Sequence, residues 1–239
     1  MTDARKNQLA LIVGVGNGLS ASLARLLSTQ GYQLVLAARN TEKIASLAQE
    51  TGASVFTCDA SQPDQVAQLF SEVKKIDAHL RVSVYNPSAR VRGAVAELDP
   101  EEVRVALQIT AFGAFLVGKE SAAMMLDQPT ELGQRGTILF TGASAGVKGF
   151  PRSAAFAMGK FAQRGLSESM ARELHPQGIH VAWVNIDGGI RNQDRPEAAG
   201  SPDSLLDPDA IAQTYLDIIR QNRSAWSSEI AVRPWVEPF

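Results

Sequence analysis

The chain has one cysteine, Cys58, so no internal disulfide can form and a fold stapled by bridges is excluded. A lone thiol also suits a reducing compartment. Its three histidines, His79, His175 and His180, stand at no metal-ligand spacing, and no Cys–His cluster accompanies them, which argues against a zinc site. A G-x-S-x-G elbow is missing, which argues against a hydrolase. Neither sign of charge is in excess: 23 Lys and Arg face 25 Asp and Glu, a net of −2, with no electrostatic case for nucleic acid or an anionic membrane. No uninterrupted run of about 18 apolar residues occurs to span a bilayer. The opening MTDARKNQ has no apolar leader region. Together these absences lead to the expectation of a cytoplasmic protein.

What is present is apolar surface in a regular rhythm. With 239 residues, 45% of them hydrophobic, the chain can build a sizeable α/β core. The organising stretch is residues 9–27. LALIV (9–13) reads as a strand buried on both faces. Glycines 14, 16 and 18 follow at once, and Ala21, Leu23, Ala24, Leu26 and Leu27 then recur at helical spacing. Strand, glycine turn and helix make the first half of a dinucleotide-binding unit. There the backbone approaches a pyrophosphate, and the helix amino terminus offers free N–H groups.

The rhythm continues to the end. Further strands are expected at 33–38, 53–58, 80–85, 136–140 and 179–185, with a short one at 230–232. Helices are expected at 41–51, 62–75, 153–174 and 209–220, and a long one opens at Asp99 or Pro100 and runs through 125. Ser61 is a candidate cap for the third helix, with Pro63 in its first turn. Strands separated by helices imply crossovers and a parallel sheet covered on both faces. The only long irregular stretch, 188–208, has the Gly, Pro, Ser and Asp content of a mobile flap. No linker or repeat divides the chain, so residues 1–239 read as one domain.

The glycines miss the common G-x-G-x-x-G spacing, because Leu19 stands where the third would fall. Gly14-x-x-x-Gly18-x-Ser20 instead resembles the TGxxxGxG loop of the short-chain dehydrogenase/reductase family, with Val13 for its threonine and Ser20 for its last glycine. The resemblance spans roughly residues 8–220. It implies a Rossmann-type, doubly wound parallel sheet of about seven strands and a nicotinamide cofactor over the loop of Gly14, Gly16, Asn17, Gly18 and Leu19. Ligands of such sheets lie beyond the carboxyl ends of the strands. After the second strand stands Arg39, where an acidic residue would accept from the ribose of NAD. An arginine pairs with a 2′-phosphate instead, so NADP(H) is expected in preference to NAD(H). Asp59, after the third strand, holds the family's adenine-facing position, and it also suits a turn cap. Asn86 is what remains of the family's NNAG motif, as a backbone contact to the cofactor or a brace for the turn.

The catalytic pattern departs from the family. The family's Tyr-x-x-x-Lys reads Phe156-Ala-Met-Gly-Lys160, on one helix face. By resemblance, Lys160 holds the nicotinamide ribose. A phenol of pKa about 10 can be tuned into an acid or base, whereas a benzyl ring donates no proton at any pH. Ser144 follows the fifth strand near the family serine, one residue short of its usual spacing. Thr110 replaces the family's asparagine on the long helix, and Ile190 matches a position against the nicotinamide. A divergent subgroup of the family with phenylalanine for tyrosine is similar. Lys160, Ser144, Tyr85 and Asp187 are the polar groups expected at the cleft. Two functions follow: an NADP(H)-dependent oxidoreductase of a small carbonyl or alcohol with atypical proton delivery, or an NADP(H)-binding protein without turnover, such as a redox sensor or partner subunit. The resemblance also implies a homodimer or homotetramer through helices 100–126 and 153–174. In the tail, Trp226, Trp235 and Phe239 are read as interface or as cover for the core edge.

Overall fold

Seven strands form one sheet in the order β3-β2-β1-β4-β5-β6-β7, every neighbouring pair parallel. The computed structural model describes residues 7–192 and 194–237. The strands are β1 (Gln8–Val13), β2 (Gln33–Ala38), β3 (Ser54–Thr57), β4 (His79–Tyr85), β5 (Gly136–Thr141), β6 (Ile179–Ile186) and β7 (Glu229–Val232). The order reverses between β1 and β4, which opens a crevice at the carboxyl ends of those two strands. All of β5 and β6 is buried, as the apolar runs GTILFT and IHVAWVNI require of strands covered on both faces.

One core lies under α1 (Leu19–Thr29) and α7 (Pro208–Ile219), around Leu23, Leu27, Tyr215 and Ile218. The other lies under α3 (Pro63–Val73) and α5 (Gly113–Leu126), around Phe70, Met125, Phe140 and Trp183. A short α2 (Ala45–Thr51) follows a 3₁₀ turn, Glu42–Ile44, and α6 (Ala154–Leu174) completes the set. Prolines open α3, α4 (Pro100–Leu107) and α7, where the missing N–H costs nothing. Asp99 and Asp207 cap α4 and α7, each accepting from an amide two residues on at 2.8 Å. Ser61 does not cap α3. Gln62 holds that position, and the Ser61 hydroxyl donates to Asp59 Oδ1 at 2.7 Å.

The expected long helix is present but not uniform. Between α4 and α5 runs a π segment, Gln108–Phe112, centred on Thr110. Taken together, Pro100–Leu126 has 27 residues and a mean hydropathy of 1.3 over its most apolar window, enough by length and composition to cross a membrane, though no uninterrupted apolar run marks it. Half of that window is buried within this fold, against the sheet and neighbouring helices.

The 188–208 segment is pinned at its base. Ile190 bridges Leu206, Arg191 N–H donates to Leu206 O at 2.9 Å, and Leu206 N–H donates to Gly189 O at 2.8 Å. In the tail, Trp226 stacks on His180 with ring centroids 4.8 Å apart and so covers the core edge, whereas Trp235 is exposed. Phe239 lies outside the described residues.

Candidate active site

The turn after β1 can be made only with glycine at position 14. Its φ is +82°, a left-handed conformation, and a Cβ there would sit 2.5 Å from the Pro87 ring. Its N–H donates to Ala37 O at 2.9 Å, which ties the loop to the end of β2. At Gly16 and Gly18 a Cβ would meet nothing, so the surface above the loop is open for a ligand to approach the backbone. No side chain caps α1, and its first turn carries no carboxylate, which leaves its amino terminus attractive to an anion.

Ser20, in place of a glycine, has a structural use. Its buried hydroxyl accepts from Gly16 N–H at 3.0 Å and lies 3.5 Å from Asn86 Nδ2, which itself donates to Gly14 O at 3.1 Å. The loop is braced from beneath by two side chains. Asn17 is exposed at its crest, and Leu19 turns its side chain into the core.

A cavity of about 310 Å³ opens beside this loop, lined by Gly14, Arg39, Asp59, Asn86 and Pro87 among others. It brings together four of the residues assigned to the cofactor from the sequence. Arg39 is exposed at the end of β2. Asp59 Oδ1 accepts from the amide of Ser61 at 3.0 Å as well as from its hydroxyl, so the turn is organised by the same carboxylate that faces the cavity. Cys58 is buried beside it, and burial together with Asp59 pushes its thiol up to about 11, far from a reactive thiolate.

The catalytic-region residues gather at a second cavity, lined by Ser144 and Phe156 together with Arg90, Arg92 and Arg152. Ser144 opens a 3₁₀ turn after β5 and is half-buried. Phe156 is buried against Ala143 and Ala145, and the Arg90 guanidinium carbon lies 4.2 Å from its ring centroid. Lys160 is on the same helix face, its Nζ 6.0 Å from that centroid. The Lys160 side chain is buried: Nζ donates to Thr141 O at 2.5 Å and to Gln163 Oε1 at 3.2 Å. Burial, helped by Arg90, pulls its pKa down to about 7. The chain of contacts continues from Gln163 Nε2 to Thr110 O at 3.3 Å, and Thr110 Oγ1 accepts from Ala89 N–H at 3.1 Å. Gly159 lets α6 close on the π segment, since a Cβ there would be 2.9 Å from the Thr110 side chain.

Of the residues expected at the cleft, Tyr85 faces away from it, and Asp187, at the carboxyl end of β6, is already paired and lines neither cavity. Tyr85 is fully buried between the sheet and the π segment, and its hydroxyl donates to Ile109 O. Burial raises its pKa well above the usual phenol value, so it is not available to titrate. Asp187 is engaged in an ion pair with Arg233. Ile190 packs at the base of the 188–208 segment and lines neither cavity. The three arginines were not singled out from the sequence. Arg90 and Arg92 lie about sixty residues before Arg152, and only the fold joins the two loops.

The short chain dehydrogenase family model matches residues 8–191, and the chain belongs to that family of oxidoreductases. The chain is 24% identical over 226 residues to the sorbitol-6-phosphate 2-dehydrogenase of Escherichia coli K12, covering 91% of this chain and 86% of that one. A short-chain dehydrogenase structure from Rhodopseudomonas palustris is 32% identical, covers 96% of this chain and 99% of its own, and superposes with a TM-score of 0.80. A metagenomic short-chain oxidoreductase, solved with NADP, is 24% identical at a TM-score of 0.82, covering 98% of this chain and 100% of its own.

Proposed function

We propose that the chain is an NADP(H)-dependent oxidoreductase acting on a small carbonyl compound or the corresponding alcohol. The observation that carries this reading is the cavity that joins the open Gly14 loop to Arg39. The residues fit a phosphorylated dinucleotide: Gly16 and Gly18 leave the backbone bare, α1 presents an uncapped amino terminus, and Arg39 offers a guanidinium to a 2′-phosphate. Asp59 and Asn86 bound the adenine side, and Asn17 and Leu19 complete the loop with their backbone. When bound, the nicotinamide supplies or accepts the hydride.

The chain's own residues have the remaining work. Ser144 faces the cavity and hydrogen-bonds the substrate oxygen. Phe156 forms an apolar wall and moves no proton. With Tyr85 sequestered and Asp187 paired, the proton comes from water admitted through the open cavity, which makes turnover slow. Two of the three Lys160 N–H groups are held by Thr141 O and Gln163 Oε1, and the third is left for a ribose hydroxyl, while the ammonium also acts on the site through its field. Ile190, held at the base of the 188–208 segment, would meet the nicotinamide only where the cofactor extends beyond both cavities. Phe112, Phe115, Met158 and Phe161 are exposed on the π segment, α5 and α6, in support of a homodimer or homotetramer; light scattering reads that directly. The buried lone thiol is compatible with a cytoplasmic setting.

Calorimetry with NADPH, NADP⁺ and NADH, followed by NADPH oxidation against a panel of carbonyl compounds, tests the reading. Tighter binding of NADPH than NADH with measurable oxidation is expected; no binding of either would end it. The missing phenol supports one other reading, a protein that binds NADP(H) without turnover. Tight binding with no oxidation of any substrate would select that one.

A further inference from the structure

The cavity beside Ser144 and Phe156 has a volume of about 420 Å³, within the range of small-molecule sites, and its lining is unusually one-sided. Arg90, Arg92 and Arg152 contribute guanidinium groups, and no lining residue is acidic. Among the described residues none of the three has an ion-pair partner, whereas Arg25, Arg104, Arg164, Arg172 and Arg191 each have a carboxylate within 4.0 Å. Charges of one sign held together without a counter-charge repel. Burial and the nearby Arg92 and Arg195 accordingly pull the Arg90 pKa below its ordinary value.

The backbone holds this arrangement in place at some cost. Arg152 sits at φ +58°, a left-handed conformation that a residue with a side chain adopts only where its surroundings impose it. Its carbonyl accepts from Gly93 N–H at 3.3 Å, which ties the loop carrying Arg90 and Arg92 to the loop carrying Arg152. Arg90 is further fixed by lying over the Phe156 ring, a cation–π contact. The cluster is therefore positioned by two linked loops and an aromatic platform, next to the serine that faces the reacting centre.

We propose that the Arg90–Arg92–Arg152 cavity binds an oxyanion group, carboxylate or phosphate, on the substrate whose carbonyl or hydroxyl carbon lies between Ser144 and Phe156. This rests on the oxidoreductase reading above and supplies its substrate class. Guanidinium groups match both oxyanions in geometry, with paired N–H donors directed at paired oxygens. All three are exposed as well as lining the cavity, so an oxyanion reaches them directly from solvent.

The test uses the full chain, with and without NADPH, and two matched pairs of probes: a short keto acid with its neutral ester, and a sugar phosphate with its free sugar. Binding is read by calorimetry and by thermal shift. In the wild-type protein at least one anionic probe is expected to bind ten-fold or more tightly than its neutral partner, with affinity falling as salt rises. The keto acid and the sugar phosphate distinguish carboxylate from phosphate. In R90Q and in the double variant R92Q/R152Q, both checked for folding by circular dichroism, that preference is expected to vanish while NADPH affinity holds. Equal binding of anionic and neutral probes to the wild type overturns the proposal, as does a preference that survives in both variants. Loss of NADPH affinity in the variants also overturns it, because the arginines would then serve the cofactor. Failure of the wild type to bind NADPH would instead count against the oxidoreductase reading.

Discussion

Replacing Phe156 with tyrosine restores a phenol where the site already has cations to tune it. Lys160 Nζ is 6.0 Å from the ring centroid. At an effective dielectric of about 20, a unit charge at that distance stabilises a phenolate by roughly 3 kcal/mol, or about 2 pKa units. Lys160 itself titrates at about 7, so its ammonium assists the phenol only below that pH; above it the amine is neutral and the phenol keeps its ordinary pKa of about 10. Arg90, closer at 4.2 Å, pulls in the same direction, but it is only partly withdrawn from solvent and counts for less. In reduction the phenol must be protonated to act, so the gained activity is present below the phenol's pKa and declines above it. A positioned acid contributes about 10²–10⁴ in rate, and F156Y is expected to raise NADPH oxidation with a carbonyl substrate by that order. The assay follows cofactor absorbance at saturating NADPH, across pH, beside wild type. A folded variant that binds NADPH as wild type does, yet gains no rate at any pH, would refute the argument that only the acid is missing.

The remaining predictions concern the loop, the specificity and the buried lysine. Gly14→Ala combines a left-handed φ with a Cβ placed 2.5 Å from Pro87, so a loss of stability beyond about 1 kcal/mol and of NADPH binding is expected in urea melts and calorimetry. Arg39→Glu removes a charge-assisted contact of about 1.5–3 kcal/mol, so NADPH affinity should fall by roughly tenfold to a hundredfold with NADH little changed; equal losses for both cofactors would reject the 2′-phosphate assignment. Lys160 has a folded-state pKa of about 7 against an ordinary 10.5, so the unfolded chain holds the extra proton between those values. Its burial therefore opposes folding most at and below about 7, and stability rises with pH across that interval. Lys160→Met should flatten that rise in denaturant melts, and an unchanged slope would show that the lysine is not its source.

Much of the architecture was readable before the structure. β2 falls on the expected residues 33–38, and most other strand ends lie within a residue of expectation, because two-sided burial writes each strand as an apolar run bounded by glycine or polar residues. The same feature misled at Tyr85. A strand apolar on both faces shows no alternation of polarity, so nothing in VSVY says which side chain faces a cleft and which a helix. Tyr85 falls on the side of α5, with Ser83 bonded to Ser121 there. The π segment left no trace because five residues are too few to shift a helical period. Arg39, Asp59 and Asn86 could be expected to share one cavity because each stands within two residues of a strand's carboxyl end. Arg152 could not be placed in this way, since a left-handed arginine in a loop has no sequence signature.

The irregularity at Gln108–Phe112 turns a helix into a sensitive coupling. A π turn carries one residue more than an α turn, so removing one residue there would restore a regular α ladder and leave the helix downstream close to its present register. The loss would fall on the bulge itself, where the Thr110 carbonyl accepts from Gln163 and its hydroxyl from the Ala89 amide. One codon lost between two ordinary helical stretches would thus be felt at Lys160, with no catalytic-region side chain altered.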